Sequence, residues 1–348
     1  MKNISVHVLF EHSDDLKPHG SAYIREILPL THPSNKNAFK VALGTDYSRA
    51  EVAIVERTWR PDISMETAER LIAQVRQDKA HLICSIDDNL LDLESIPTST
   101  RMVMRYFCRE ANGVVVSTEF LKDRLKHINS KIYVLPNCVD ERLFMDNGKW
   151  RSPLSADEGH IVIGFMGTYT HDADLMMVLQ ALRTILYKYS GAVKLELVGG
   201  LSNSAFIQSL QGLPVRVCRV PVQDVEYPNF IDWMKKNIHW HIGIAPLEDT
   251  FFNRSKSDIK FLDYSALGIA GIYSHVLAYK NTIRHKETGY LTGNTPAEWV
   301  EALEQLILDR PMREKIALSA QQYVTSSRTL AQCGKNWQVA IQSIMNST

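Results

Sequence analysis

The sequence predicts an α/β protein made of two Rossmann-like doubly wound domains that face each other across a cleft. Three observations predict it. Apolar runs of strand length alternate with segments of helical period along most of the chain, the pattern of βαβ units and parallel sheets. The alternation stops once, in a turn-rich stretch at 146–159, and then restarts. A chain of 348 residues also exceeds one compact core, and two domains of roughly 150 to 200 residues are the expected division.

In the first domain, 1–145, strands are expected over 4–10, 52–56, 81–86, 113–117 and 132–135, each a short aliphatic or β-branched run. Helices fall between them at 64–79, 98–110 and 118–128, the last opened by Thr118 as an N-cap. The segment 146–159, Asp-Asn-Gly-Lys-Trp-Arg-Ser-Pro-Leu-Ser-Ala-Asp-Glu-Gly, lacks periodicity and reads as the linker. The second domain, 160–328, resumes with strands at 161–166, 193–198, 215–220, 240–245 and 271–274 and helices near 172–189 and 229–237. Beyond residue 274 the chain is mainly helical, at 296–308, 311–324 and 329–345.

Composition excludes several classes. Lys and Arg number 39 against 39 Asp and Glu, with no basic block, so nothing points to a nucleic-acid partner. No apolar run approaches the roughly 20 residues of a membrane span, and residues 1–3 lead straight into a strand-like run with no signal peptide. A soluble cytoplasmic protein is expected. The five cysteines are widely spaced in apolar contexts, which fits reduced core residues, and they form no zinc pattern.

The most informative stretch is 253–268, Asn-Arg-Ser-Lys-Ser-Asp-Ile-Lys-Phe-Leu-Asp-Tyr-Ser-Ala-Leu-Gly, after the apolar run at 240–245. It reads as a strand, a polar loop with two lysines, and a helix with a carboxylate in its first turns. Lys256, Lys260 and loop amides suit a diphosphate, and Asp263 suits ribose hydroxyls. The alternative is an amphipathic helix with Ile259, Leu262 and Ala266 facing a core. Asp87 and Asp88 close the strand 81–86, where adjacent acids need cations, donors or water around them. One can act on a ligand hydroxyl, for which Asp87 is the candidate, while Asp88 reads as an N-cap. Gly167 and Thr168, followed by Tyr169, His171 and Asp172, form a glycine turn ahead of a helix and suit close approach to a diphosphate. His171 itself reads as a cap or surface group. Gly20 and Ser21 form a further close-approach turn, while Arg25 and Arg57 either reach an anionic acceptor group or stabilise their own elements. Pro136, Asn137 and Asp140 read as turn and cap, and Trp233, Trp240 and Tyr227 as core.

Assembled, these motifs resemble the GT-B glycosyltransferases, in particular the retaining family four and its relatives in bacterial surface-polysaccharide synthesis. The resemblance covers nearly the whole chain through Lys17-Pro-His-Gly-Ser-Ala-Tyr-Ile-Arg25, Ile86-Asp-Asp-Asn89, Leu135-Pro-Asn-Cys-Val-Asp140, Gly164-Phe-Met-Gly-Thr168 and the 256–268 segment. It implies a sugar-nucleotide site in the second domain and an acceptor site in the first, made by Gly20, Ser21, Arg25 and Arg57. Asp263 matches the second glutamate of the family's Glu, seven residues, Glu motif, and Ser255 stands where the first would be. Asp87 takes the place of a histidine found in many relatives. Lys280 and Asn281 follow the strand at 271–274, where relatives use loop amides on the diphosphate. The final helix, within 329–348, is expected to cross back onto the first domain.

The resemblance implies sugar transfer from a nucleotide diphosphate donor to a carbohydrate or lipid-linked glycan. It implies no metal and no cofactor, and allows peripheral work at the inner face of the membrane. Two other readings stay open. A non-catalytic sugar-nucleotide or glycan-binding protein accounts for the missing glutamate and histidine, and an epimerase of the same architecture would need no acceptor.

Overall fold

The computed structural model describes residues 3–153, 159–168, 171–199 and 204–347. Two six-stranded, wholly parallel sheets organise them. The first comprises β1 (Ile4–Leu9), β2 (Phe39–Gly44), β3 (Val52–Glu56), β4 (His81–Ile86), β5 (Gly113–Val116) and β6 (Ile132–Val134) in the order β2-β1-β3-β4-β5-β6. The second comprises β7 (Ile161–Met166), β8 (Val193–Val198), β9 (Val215–Cys218), β10 (Ile242–Ala245), β11 (Ala270–Ser274) and β12 (Tyr290–Thr292) in the order β12-β11-β10-β7-β8-β9. Register is continuous across each centre, with Val6 opposite Val52 and Val52 opposite His81, and with Ile242 opposite both Ile163 and Ala270.

The central strands are buried because helices cover both faces. All five residues of β3 and all four of β10 are buried, which is why they read as unbroken apolar runs. Two strands were not expected from the sequence. In β2 only Phe39 is buried, since the strand lies at an edge, and β12 has three residues. β12 is too short, and β2, although six residues long, is interrupted by Lys40 and too exposed, to stand out as a buried run. The chain after His19 is helical in three short turns, Gly20–Ala22, Tyr23–Ile27 and Leu28–Thr31, where a close-approach turn at Gly20 and Ser21 was expected.

Helix starts follow local rules. Ser64 accepts from Thr67 N ahead of Met65–Gln77, and Thr118 accepts from Leu121 N ahead of Glu119–Leu125. Thr295 and Glu298 form a full capping box at the start of Pro296–Leu308. Asp140 caps Glu141–Phe144 by accepting from Arg142 N, as its sequence context indicates.

The last helix, Lys335–Asn346, lies on the first sheet. Trp337, Ala340, Ile341 and Ile344 share one apolar cluster with Val6, Val8, Ile54, Ile83 and Val115, a spacing that places them on one helical stripe. Trp337 Nε1 also donates to Arg25 O at 3.0 Å.

One cysteine expectation is corrected. Cys138 and Cys333 form a disulfide across 195 residues of sequence, whereas Cys84, Cys108 and Cys218 are free and buried. Composition and local context cannot reveal a pair that only the return of the chain brings together. Among the described residues no helix is long and apolar enough to cross a membrane.

Replacing Trp337 with Ala removes a 3% exposed indole and its hydrogen bond. The expected loss of stability is about 3–5 kcal/mol, read from urea denaturation midpoints at constant slope.

Candidate functional site

In open α/β sheets, ligands collect outside the carboxyl ends of the strands where strand order reverses. The first sheet reverses between β1 and β3, and the second between β7 and β10. Those two edges face each other across a cavity of about 740 Å³. Gly20, Ser21, Arg25, Arg57, Asp87 and Asp88 line it from the first domain, and Thr168, Lys256 and Lys260 from the second. A second cavity of about 630 Å³ is lined by Met166, Gly167, Val198, Tyr227, Phe230 and Asp263. Thr168, His171 and Lys260 line both.

On the first-domain wall, Glu11 follows β1, Arg57 follows β3 and Asp87 follows β4. Arg57 takes φ +49°, a left-handed conformation uncommon outside glycine, and its guanidinium ties the other two together. Nη1 donates to Glu11 Oε2 at 2.5 Å, while Nε donates to Asp87 Oδ1 at 2.8 Å. Burial works against the Arg57 charge, but Asp87, Glu11, Glu56 and Asp88 outweigh it and raise its pKa. Behind this wall, burial raises Glu56 to about 7 and puts Glu26 well above the usual carboxylate range. Arg25 is buried and donates to Leu135 O at 2.6 Å and to Asn137 Oδ1 at 2.7 Å. Both arginines therefore brace the wall while also lining the cavity.

The second-domain wall follows β7 and β10. Gly199, at φ +111°, lets the end of β8 come against the Gly167 carbonyl, where a Cβ would collide. Lys256 lies 3.7 Å from Asp88 Oδ2 and over the Phe252 ring. Lys260 donates to His171 Nε2 at 3.0 Å, and His171 Nδ1 lies 2.8 Å from Asp174 Oδ2. Burial, then Lys256, lowers Lys260 to about 8. Asp263 accepts from the Tyr227 hydroxyl at 2.8 Å, and burial raises its carboxyl to about 7 against the opposing effects of Tyr227 and Lys260.

Polar bonds hold the walls together. Asn89 N donates to Ser255 Oγ at 3.0 Å, and Thr118 Oγ1 donates to Ser255 O at 3.2 Å. Asn137 Nδ2 donates to Ser257 Oγ at 2.8 Å. At the cleft mouth, Lys17 Nζ and Tyr23 Oη donate to the two oxygens of Glu226 at 2.8 and 2.6 Å. Sequence patterns miss these residues because each partner comes from the other domain.

Several expectations change. Lys280 and Asn281 do not offer amides to the cleft: Lys280 N donates to Val276 O, Asn281 N donates to Tyr279 O, and both side chains are exposed. The short helix Leu277–Lys280 uses those groups for its own bonds, and Tyr279 is the residue that reaches the cavity. Asp88 caps nothing, since Asn89 precedes the turn Leu90–Asp92 and the Asp88 carboxylate faces Lys256. His171 is not a surface cap, its ring being held between Asp174 and Lys260. Of the three aromatic residues read as core, Trp240 is 1% exposed, Trp233 stacks on Phe230, and Tyr227 is buried yet lines the second cavity. Tyr169 lies outside the described residues.

Among the described residues, His32, Asp140 and Glu141 alone bring metal-type ligand atoms within 4.8 Å of one another. Their groups already engage one another and Arg142: His32 Nε2 lies 2.9 Å from Glu141, and Asp140 pairs with Arg142.

No family model and no characterised protein matches the sequence. Solved structures do match the fold. HepE of Anabaena, in complex with UDP and glucose, superposes with TM-score 0.69 at 10% identity, covering 98% of this chain and 100% of that one. A glycosyltransferase from Rickettsia africae gives 0.66 at 13% identity with 100% of both chains covered. Sucrose-phosphate synthase from Thermosynechococcus elongatus gives 0.61 at 12% identity, over 86% of this chain and 75% of that one. The architecture is GT-B.

Two outcomes follow from the site's electrostatics. Arg57→Met leaves Glu11 and Asp87 without their cation and is expected to cost about 3–5 kcal/mol of stability, measured by denaturant unfolding near neutral pH. Asp263 binds its proton more tightly folded than unfolded, so it makes stability fall as pH rises from its ordinary 3.8 toward about 7. Asp263→Asn removes that contribution, and unfolding series across this window should show a flatter pH dependence than the parent.

Proposed function

We propose that the protein is a glycosyltransferase that moves a sugar from a nucleotide-diphosphate sugar to a carbohydrate or lipid-linked glycan acceptor. One observation carries the reading. Lys260 and Thr168 stand where a mostly apolar cavity bearing Asp263 opens into a polar interdomain cleft bearing Lys256, Asp87 and Asp88. A nucleoside fits the first space, a diphosphate the junction, and two sugars the second.

In this reading Met166, Val198 and Phe230 flank the base and Asp263 receives ribose hydroxyls. Lys256 and Lys260, with Gly167 and Thr168 close to the phosphates, stabilise charge on the departing diphosphate, an electrostatic task that needs no metal and no cofactor. The acceptor lies toward Gly20 and Ser21. Arg57 holds Asp87 through one oxygen, which leaves that carboxylate oriented toward the cleft to receive a sugar hydroxyl. Resemblance to family four supports retention of configuration and work at the cytoplasmic face of a membrane. HepE was solved with UDP and with UDP-glucose, so UDP-sugars are the first donors to test.

A screen of sugar nucleotides for hydrolysis and thermal stabilisation tests the proposal, and absence of any response across UDP, GDP, ADP, CMP and dTDP sugars would sink it. Lys256→Ala is expected to weaken nucleoside diphosphate binding by about 1–3 kcal/mol, measured by calorimetry. Asp87→Asn is expected to lower kcat roughly 100-fold while nucleotide binding persists, with steady-state rates and binding measured on the same preparation.

A further inference from the structure

Lys260 borders both cavities, and its ammonium is directed by a histidine. An ammonium has donors and no acceptor, so the 3.0 Å contact makes His171 Nε2 the acceptor. The ring's proton then sits on Nδ1, which donates across 2.8 Å to Asp174 Oδ2. Asp174 is 4% exposed, and its other oxygen accepts from Glu248 N at 2.8 Å, so the carboxylate is anchored at both ends. The chain Asp174, His171, Lys260 thus runs from the start of the helix Asp172–Lys188 to the junction of the cavities.

We propose that Asp174 and His171 are positioning residues that hold the Lys260 ammonium, charged and aimed, where the diphosphate of a nucleotide sugar binds. The inference rests on the reading of the cleft given above. A neutral imidazole suits the task better than a carboxylate would. It fixes the direction of the ammonium without cancelling its charge, and it adds no negative group to repel phosphate oxygens. Burial, then Lys260 itself, lowers His171 to about 4, so the ring stays neutral and able to accept throughout the neutral range. Lys260 faces Lys256 from the preceding loop, Asp263 from its own helix, His171 and Asp174 from the helix after β7, and Asp88 from the first domain. Burial and Lys256 lower its pKa while Asp174, Asp263 and Asp88 raise it. Binding that needs the charged form is therefore full below about 8 and is lost as pH rises through it. Removing the Asp174 charge moves that loss to lower pH.

Calorimetric titration of the full chain with uridine 5′-diphosphate and with inorganic pyrophosphate, from about pH 6 to about pH 9, tests the relay. His171→Ala and Asp174→Asn are each expected to weaken both probes roughly 5- to 20-fold near neutrality. His171→Gln, whose amide oxygen can accept from the ammonium, should recover most of the loss. Asp174→Asn should also shift the alkaline fall in affinity to lower pH, which a purely structural defect would not do. Nitrogen-15 spectra of the histidine rings should show His171 as the Nδ1–H tautomer in the parent. A parent that binds either probe, together with unchanged affinity in His171→Ala and Asp174→Asn, overturns the relay alone. An Nε2–H tautomer in the parent overturns it as well. A parent that binds neither pyrophosphate nor any of the uridine, guanosine, adenosine and thymidine diphosphates removes the nucleotide-sugar reading, and this role with it.

Discussion

Asn137 ties together the three parts of the chain whose relative placement defines the cleft. Its Oδ1 accepts from Arg25 in the first domain, its Nδ2 donates to Ser257 beside the lysines of the second, and its carbonyl accepts from Arg328 ahead of the returning helix. Arg328 in turn pairs with Asp258 at 2.9 Å. The Asn137 side chain is 6% exposed, and buried amides with satisfied donors and acceptors hold geometry because any rearrangement leaves a polar group unpaired. The space between the sheets is thereby set by hydrogen bonds of fixed length, and the lysines and carboxylates face each other at distances a small ligand can bridge.

Electrostatics sets the character of that space. Parallel strands bring their carboxyl ends to one edge, so acids that follow β1, β3 and β4 converge whatever their distance in sequence. Glu11, Glu56, Asp87 and Asp88 accumulate there, and Arg57 is the cation that makes the arrangement tolerable. Across the cleft the balance reverses, with Lys256 and Lys260 close enough that both lower the pKa of His171 and Lys260 itself is pushed down. Opposed walls of opposite sign suit a reaction in which an anionic leaving group departs from one wall while hydroxyls are oriented by the other.

Ser255 spends its hydroxyl on Asn89 N and on Phe252 O, so it joins the domains. Asp88 and Asp87, borne by the same strand end that Ser255 grips, are the carboxylates that face this part of the cavity. Asp263 is met by the Tyr227 hydroxyl, which adds a polar group to the second cavity from the neighbouring helix.

The sequence by itself determined the two-domain parallel α/β architecture, because buried central strands must be continuous apolar runs and caps such as Ser64, Thr118 and Asp140 act on their own next few residues. It also marked Asp87, Asp88, Lys256, Lys260 and Asp263, since unusual charges at strand ends and helix starts are visible as local pattern. Edge strands Phe39–Gly44 and Tyr290–Thr292 escaped it, the first being largely exposed and the second only three residues long. Tertiary structure alone decided which partners Arg25 and Arg57 bond in the wall, that Lys280 and Asn281 keep their amides in a helical turn, and that Cys138 meets Cys333. It alone brought His171 to Lys260 and Glu226 to Lys17. Each of those outcomes depends on partners 30 to 209 positions apart or on which backbone groups a local turn consumes, with Arg57 and Asp87 separated by 30 residues and Lys17 and Glu226 by 209. Local periodicity carries no information about such pairs, because they form only when segments distant in sequence are packed together.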